Sequence, residues 1–191
     1  EEAEGYYSRP GLAFYLTGEL PEAQLFPFAA QDFRRLGVQS LHGRATRIQP
    51  QLHRVELENG YSLSYDRLLI ATGAAALRLT APGSEAQGVV KLDCLQDARH
   101  IMQLARKQRE AVVVGGGITA LEIVEGLVTQ GVKVHYLLRG DRYWSNVLDD
   151  TESRIVEQRL KEDKVHLHFR SEIAEVLTSG NRVVGVRTLD G

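Results

Sequence analysis

Gly115, Gly117 and Ala120 stand at the spacing G-x-G-x-x-A inside the run AVVVGGGITALE at 111–122. Each small residue answers a physical need. The first glycine permits a tight turn, the second lets backbone approach a pyrophosphate closely, and a small third residue lets helix and strand pack. A helix opening at Ile118 would turn its unpaired N–H groups and the positive end of its dipole toward phosphate. Glu122 closes the run, one turn into that helix. The pattern carries this meaning only where it follows a strand and opens a helix.

The flanks meet that condition. Ala111 to Val114 reads as a parallel strand buried on both faces. Leu121, Val124, Leu127 and Val128 recur at helical spacing, Gly131 falls where a helix stops, and Val132 to Leu138 forms a second apolar run. Together they make the start of a βαβ unit, which weakens the alternative of a glycine turn that only packs a helix on a strand. Asp149 with Glu152 predicts a capped helix through Lys161 with Ile155, Val156 and Leu160 inward. Lys164 to Phe169 then reads as an outer strand with His166 and His168 on one face.

The earlier half is organised differently. Arg9 and Pro10 lie in a loop leading to a brief helix ended by Gly18, and an arginine held there suits a phosphate or a carboxylate. Gln24 to Leu36 reads as a short helix with Phe33 and Leu36 inward and Gly37 as its cap. From Val38 the period changes to two, through Val38–His42, Ala45–Ile48, Arg54–Glu58, a turn at Asn59-Gly60, and Tyr61–Ser64. Tyr65 to Ala74 predicts a buried strand whose closing turn, Ala71-Thr72-Gly73, brings backbone close to another group. Ala81-Pro82-Gly83-Ser84 reads as a linker, and Asp97 to Lys107 as a helix with Ala98, Ile101, Met102 and Ala105 on one face. A domain boundary is expected between about Gly88 and Gln108.

Composition excludes several classes. The 191 residues carry a net charge of −2 with acids and bases interleaved, which offers no field for nucleic acid and no polybasic membrane patch. No apolar run approaches the ~18 residues of a membrane span, and the opening EEAEGYY is unlike a signal peptide. The single cysteine, Cys94, cannot form an internal disulfide and reads as a small buried side chain; a reducing, cytoplasmic setting is the expectation. His166 and His168 have no partnering ligand placed beside them by the sequence, so no metal is expected. Serine, histidine and aspartate occur without a nucleophile elbow, so hydrolysis is not supported. Met102 is the only methionine, and the chain stops just after the strand-like run Arg182–Thr188, so a piece of a longer polypeptide is expected.

Three strings appear in an order seen in one family: Tyr-Ser-Arg-Pro-Gly-Leu at 7–12, Tyr-Asp-Arg-Leu-Leu-Ile-Ala-Thr-Gly-Ala at 65–74, and the glycine pattern at 115–122. The chain resembles the two-dinucleotide-fold flavoprotein reductases, in the branch with ferredoxin and rubredoxin reductases, the flavin part of NAD(P)H nitrite reductase and apoptosis-inducing factor. The lack of a CxxxxC pair before residue 20 resembles its non-disulfide members. The resemblance implies an α/β fold of two Rossmann-like domains of three-layer ββα type, with residues 1–100 a partial FAD-binding domain and 101–191 an NAD(P)-binding domain truncated at its C-terminus. It implies FAD and NADP or NAD as cofactors, with hydride passing from nicotinamide to flavin and electrons leaving to a protein or small acceptor. A homodimer of the full-length protein is a further expectation.

Carried over by position, Arg9 and Pro10 resemble loop residues near FAD, Ala45 a strand residue whose backbone meets the adenine, and Ala71, Thr72 and Gly73 the turn packed near the flavin nucleotide. Gly115, Gly117, Ile118, Ala120 and Glu122 resemble the nicotinamide-nucleotide contacts, with Glu122 toward the nicotinamide and the one candidate catalytic residue. Leu12-Ala13-Phe14 departs from the branch's Leu-Ser-Lys, so Glu122 lacks the lysine that pairs with its counterpart in relatives. The acid that bonds ribose hydroxyls is expected about 20 residues beyond the glycines. That place is Leu138, followed by Arg139, which favours NADP over NAD. A non-catalytic NAD(P)-binding module with a redox-sensing or regulatory role is the alternative to an enzyme.

Overall fold

A computed structural model describes residues 5–190; residues 1–4 and 191, which include the acidic opening and the terminal glycine, lie outside them. In chain order the elements are α1 (Gly11–Thr17), α2 (Ala30–Arg35), β1 (Ala45–Gln49), β2 (Arg54–Leu57), β3 (Ser62–Ser64), α3 (Leu95–Ala105), β4 (Glu110–Val114), α4 (Ile118–Thr129), β5 (Lys133–Leu138), α5 (Asp150–Glu162), β6 (His166–Phe169), β7 (Ile173–Ser179) and β8 (Arg182–Thr188), with short 3-10 turns at Glu22–Leu25 and Pro50–Leu52. The described residues fall into two compact units: 5–8 with 26–75, and 9–25 with 76–190.

The second unit holds most of the buried apolar side chains. Strands β4, β5 and β6 form a parallel sheet in that order, with Val114 beside Leu137 and Leu138 beside Phe169. The crossover through α4 is the βαβ unit that the spacing predicts. Its helix begins at Ile118 after Gly117 and ends in a Schellman turn, where Gly131 at φ 75 donates to Val128 O and Val132 donates to Leu127 O. β7 and β8 form an antiparallel hairpin, and the linker at 81–88 lies along it: Val176 N donates to Pro82 O and Val183 N to Gln87 O. Helix α1 packs on α4 through Gly126, where a Cβ would come within 2.6 Å of Leu16 Cβ.

The first unit is a three-stranded antiparallel sheet, β1-β2-β3, with the expected turn at Asn59-Gly60, where Gly60 has φ 85. A bulge at Thr46 separates the pairings of Ala45 with Leu57 and Arg47 with Glu56. His53 and Tyr65 stack in nearly parallel planes, 5.5 Å apart, beside the bond from Tyr65 N to His53 O.

Several expectations are corrected. Residues 65–74 are not a buried strand: Leu69 and Ile70 are 86% and 64% exposed, and among the described residues no strand pairs with this segment. An apolar run becomes a strand only where a ladder exists for it to join. Val38–His42 is irregular for the same reason, and the expected Gln24–Leu36 helix starts only at Ala30, because a 3-10 turn and Pro27 interrupt it. Leu36 points to solvent, although Gly37 closes α2 as expected. β4 lies at the edge of its sheet among the described residues; Val112 and Val114, which share one face, are part exposed, whereas Val113 on the other face is buried. On α5 the inward stripe is Ser153, Glu157 and Leu160, whereas Ile155 is exposed. Polar groups won that face because they have buried partners: Glu157 Oε1 accepts from Tyr143 N at 2.8 Å, and Ser153 Oγ donates to Tyr143 O at 2.7 Å.

Candidate functional site

The glycine turn follows directly from β4. Gly115 has φ 139, a conformation that side-chain-bearing residues rarely adopt, and a Cβ there would come within 3.1 Å of Ala120 Cβ. Gly115 N reaches Leu137 O at 3.3 Å, which ties the turn to β5. Ala120 is buried beneath it. Gly117 caps α4 in extended conformation, and no side chain caps the helix. A Cβ placed on Gly117 meets nothing within 4 Å. Among the described residues no side chain therefore takes up the N–H groups of the first turn of α4, the arrangement that receives an anion.

Glu122 sits half-buried one turn further along α4. Burial pushes its carboxyl above the ordinary carboxylate range, and the neighbouring Glu125 charge adds to the rise. Among the described residues Glu122 makes no hydrogen bond or ion pair. Phe14, where relatives are expected to carry lysine, is 53% exposed.

The second wall of the turn is the end of β5. A Cβ on Gly116 would lie 3.9 Å from Leu138 Cδ2, so the Leu138 side chain at the end of β5 borders the turn. The next residue is Arg139, which is exposed and makes no hydrogen bond or ion pair among the described residues. Gly115, Gly117, Ile118, Ala120 and Glu122 thus lie on one turn and helix, while Arg139 follows directly after the end of the adjacent strand β5.

The flavin-side candidates are divided between the two units. Ala45 helps line a shallow apolar pocket of about 350 Å³ in the first unit, with Leu41, Val55, Leu57, Leu63 and Tyr65. Ala71, Thr72 and Gly73 lie in the same unit without regular structure, and Gly73 has φ 70. Arg9 and Pro10 begin the second unit, with Pro10 as the N-cap of α1. The Arg9 guanidinium meets the carboxylate and main-chain oxygen of Asp93, the former at 3.4 Å. Hydrogen bonding from Lys91 holds the Asp93 carboxyl below its usual range, helped by the charges of Lys91 and Arg9.

Two buried tyrosines were not anticipated from the sequence. Tyr136 and Tyr143 are fully buried with ring centroids 6.4 Å apart, and neither hydroxyl has a hydrogen-bond partner among the described residues. Burial raises both hydroxyls, and Glu125 and Glu122 add to the rise at Tyr143. His166 and His168 do share the outer face of β6, and His135 of β5 joins them: its ring stacks on His166 at 4.9 Å and its Nδ1 lies 3.1 Å from His168 Nε2. Among the described residues no group of three or more histidine, cysteine or carboxylate side chains is arranged to hold a metal. Cys94 is half-buried just ahead of α3.

A parallel sheet whose first crossover opens on an uncapped glycine turn defines an α/β protein of the dinucleotide-binding class. The chain belongs to the pyridine nucleotide-disulphide oxidoreductase family, which it matches over residues 2–191. It is 28% identical over 174 residues to the rubredoxin-NAD(+) reductase of Pseudomonas putida, covering 89% of this chain and 45% of that protein. Its fold is similar to the crystal structure of a ferredoxin reductase from Rhodopseudomonas palustris, with a TM-score of 0.94 and 24% identity across 100% of this chain and 47% of that one. It is also similar to the reductase in the covalent putidaredoxin reductase-putidaredoxin complex, with a TM-score of 0.89 and 25% identity over 98% and 46% of the two chains. The chain spans about half the length of the curated relatives it matches.

Proposed function

We propose that this chain is part of an FAD-dependent NAD(P)H oxidoreductase that passes reducing equivalents to a redox protein or small acceptor. The observation that carries the nicotinamide half is the open, uncapped helix start at Gly117. Residues 101–191 would hold the nicotinamide nucleotide, with the pyrophosphate against the N–H groups that follow Gly117 and Ala120 keeping α4 close to β4. Residues 1–100 would supply part of the flavin site, with Ala45 offering backbone beside the apolar pocket and Ala71, Thr72 and Gly73 offering close backbone. Flavin, when bound, supplies the two-electron chemistry that the side chains here cannot. Arg9 and Pro10 would hold the loop that begins α1, Arg9 through Asp93.

Glu122 is the acid of α4 nearer its glycine-bearing start, one turn before Glu125, and would lie toward this nucleotide. With its carboxyl raised by burial, it can hold a proton or accept a hydrogen bond from a carboxamide. Arg139 in place of an acid beyond the glycines favours a 2′-phosphate, and so NADPH as donor. Names of the relatives support an electron-transfer role: one is a rubredoxin-NAD(+) reductase, and another is captured with putidaredoxin.

The test uses the space in front of Gly117. Because backbone there is extended and a Cβ meets nothing, Gly117→Val should fold, at a cost of about 1 kcal/mol for an apolar N-cap, while filling the volume assigned to pyrophosphate. Titration calorimetry should then show NADP(H) binding weakened by more than about tenfold, roughly 1.4 kcal/mol. Unchanged affinity in a folded Gly117→Val protein would remove the assignment.

A further inference from the structure

The carboxyl ends of β5 and β6 are stitched together beyond their ladder. Ser171 N donates to Leu138 O at 3.0 Å, and Arg170 N donates to Gly140 O at 2.9 Å. The register that pairs Leu138 with Phe169 makes Arg139 and Arg170 the next residues out on adjacent strands. Neighbouring strands lie about 4.8 Å apart, so two arginine backbones stand side by side at the sheet edge where open α/β folds bind their ligands. The arrangement has a local cost. Arg170 occupies φ 53, a left-handed conformation that arginine adopts only when its surroundings impose it.

Neither guanidinium is committed elsewhere. Arg139 has no partner among the described residues. Arg170 is 80% exposed and reaches only Asp141, at 4.0 Å, a separation that contributes little in water. Arg142, the other cation of this loop, is occupied by Asp150 and by the main-chain oxygens of Ser145 and Leu148.

We propose that Arg170 is a second specificity-determining cation, which joins Arg139 in gripping the 2′-phosphate of NADP(H), with only its loose contact to Asp141 to give up when that phosphate arrives. The inference rests on the nucleotide-binding reading above and extends it to a residue outside the glycine unit. Two forked guanidinium groups match the dianionic phosphate better than one, since each can donate two parallel hydrogen bonds.

Binding of adenosine 2′,5′-bisphosphate and adenosine 5′-monophosphate to the longest available form of the protein, followed by calorimetry, separates the possibilities. Wild-type protein should prefer the 2′-phosphorylated probe. Arg170→Asn keeps a residue that tolerates the left-handed region and should weaken that probe by about fivefold to tenfold, with little change for the monophosphate. Asp141→Asn, which removes a negative charge beside Arg170, should tighten the 2′-phosphorylated probe. If Arg139→Ala removes the preference while Arg170→Asn keeps it, the proposal for Arg170 is overturned and the nucleotide reading stands. Equal weakening of both probes by Arg170→Asn also overturns it, as does a loss of monophosphate binding in Asp141→Asn, which would assign Asp141 to the ribose hydroxyls. A wild-type protein indifferent to the 2′-phosphate overturns the NADP assignment itself.

Discussion

Glu122 and its neighbour Glu125 are both raised by burial, and Glu125 is the second cause of the rise at Glu122. A carboxyl that binds its proton more tightly in the folded protein favours folding at low pH. Its contribution then declines as pH rises from the unfolded value, about 4.3, through the folded one. Glu122→Gln removes the charge, keeps the shape and relieves Glu125. Thermal unfolding followed between pH 4 and 8 should therefore show the variant gaining on wild type as pH rises, with the largest gain at the alkaline end. The same variant should lose nucleotide-dependent reduction, because stability and function make opposite demands on this position. A constant stability difference across the range would contradict the burial-driven shift. The helical position of Glu122 was legible from the pattern after the glycines; its role, and the absence of a lysine at Phe14, came from the family resemblance. Tyr136, Tyr143 and Arg170 were not legible, because their importance comes from burial or from a neighbouring strand, and neither is encoded in nearby letters.

Helix α4 is the element most completely written in the sequence: glycines open it, Gly131 closes it, and its inward positions recur with the helical period. Gly126 is the exception that only packing explains. In a helix, alanine is ordinarily better than glycine by about 1 kcal/mol. Here the added methyl would meet Leu16 Cβ at 2.6 Å and main-chain atoms of Leu16 within 3.4 Å, so α1 would have to move. Overpacking of that kind costs about 1–3 kcal/mol, which outweighs the propensity gain. Gly126→Ala should lower the melting temperature by a few degrees, at about 2–4 °C per kcal/mol for a chain of this size, and a stabilised variant would show that α1 is not held against α4. A similar argument applies to the 81–88 linker. Gly83 has φ 80, and a Cβ there would meet Val176 O at 2.2 Å, whereas Gly180 has φ 61 with nothing within 4 Å. Gly83→Ala should therefore cost more than Gly180→Ala, because both disturb backbone but only the first collides. Punctuation alone marked 81–84 as a linker; that it lies on β7–β8 is a long-range fact. α5 teaches the same lesson from the other side: of its expected inward residues Leu160 is buried and Val156 half-buried, but Ile155 is exposed. Buried bonds to Tyr143 turned Glu157 and Ser153 inward and left Ile155 in water.

At the scale of the whole chain, the two units differ in how much apolar surface they bury. Leu57 is the single buried apolar side chain among the described residues of the first unit, while Leu63, Leu68, Leu69 and Ile70 remain substantially exposed. The second unit buries Val124, Val134, Tyr136, Leu138 and Tyr143 almost completely. Local opening costs little where few apolar contacts must be broken, so the two units should separate in hydrogen exchange. Amides of β1–β3 should exchange orders of magnitude faster than those of β5 and the middle of α4, under conditions where the chain stays folded. The proposed flavin site adds a linkage to this expectation. A ligand that binds only the folded form protects by RT ln(1 + [L]/Kd), about 2.7 kcal/mol at a hundredfold excess over Kd. Flavin added to protein lacking it should therefore slow exchange at Ala45 and across β1–β3, whereas NADP should slow it at Ile118–Ala120 and the end of β5. Protection by flavin confined to the glycine turn, or by NADP confined to β1–β3, would invert the assignment of the two nucleotides. Equal protection of both units without ligand would contradict the burial argument on which the expectation rests.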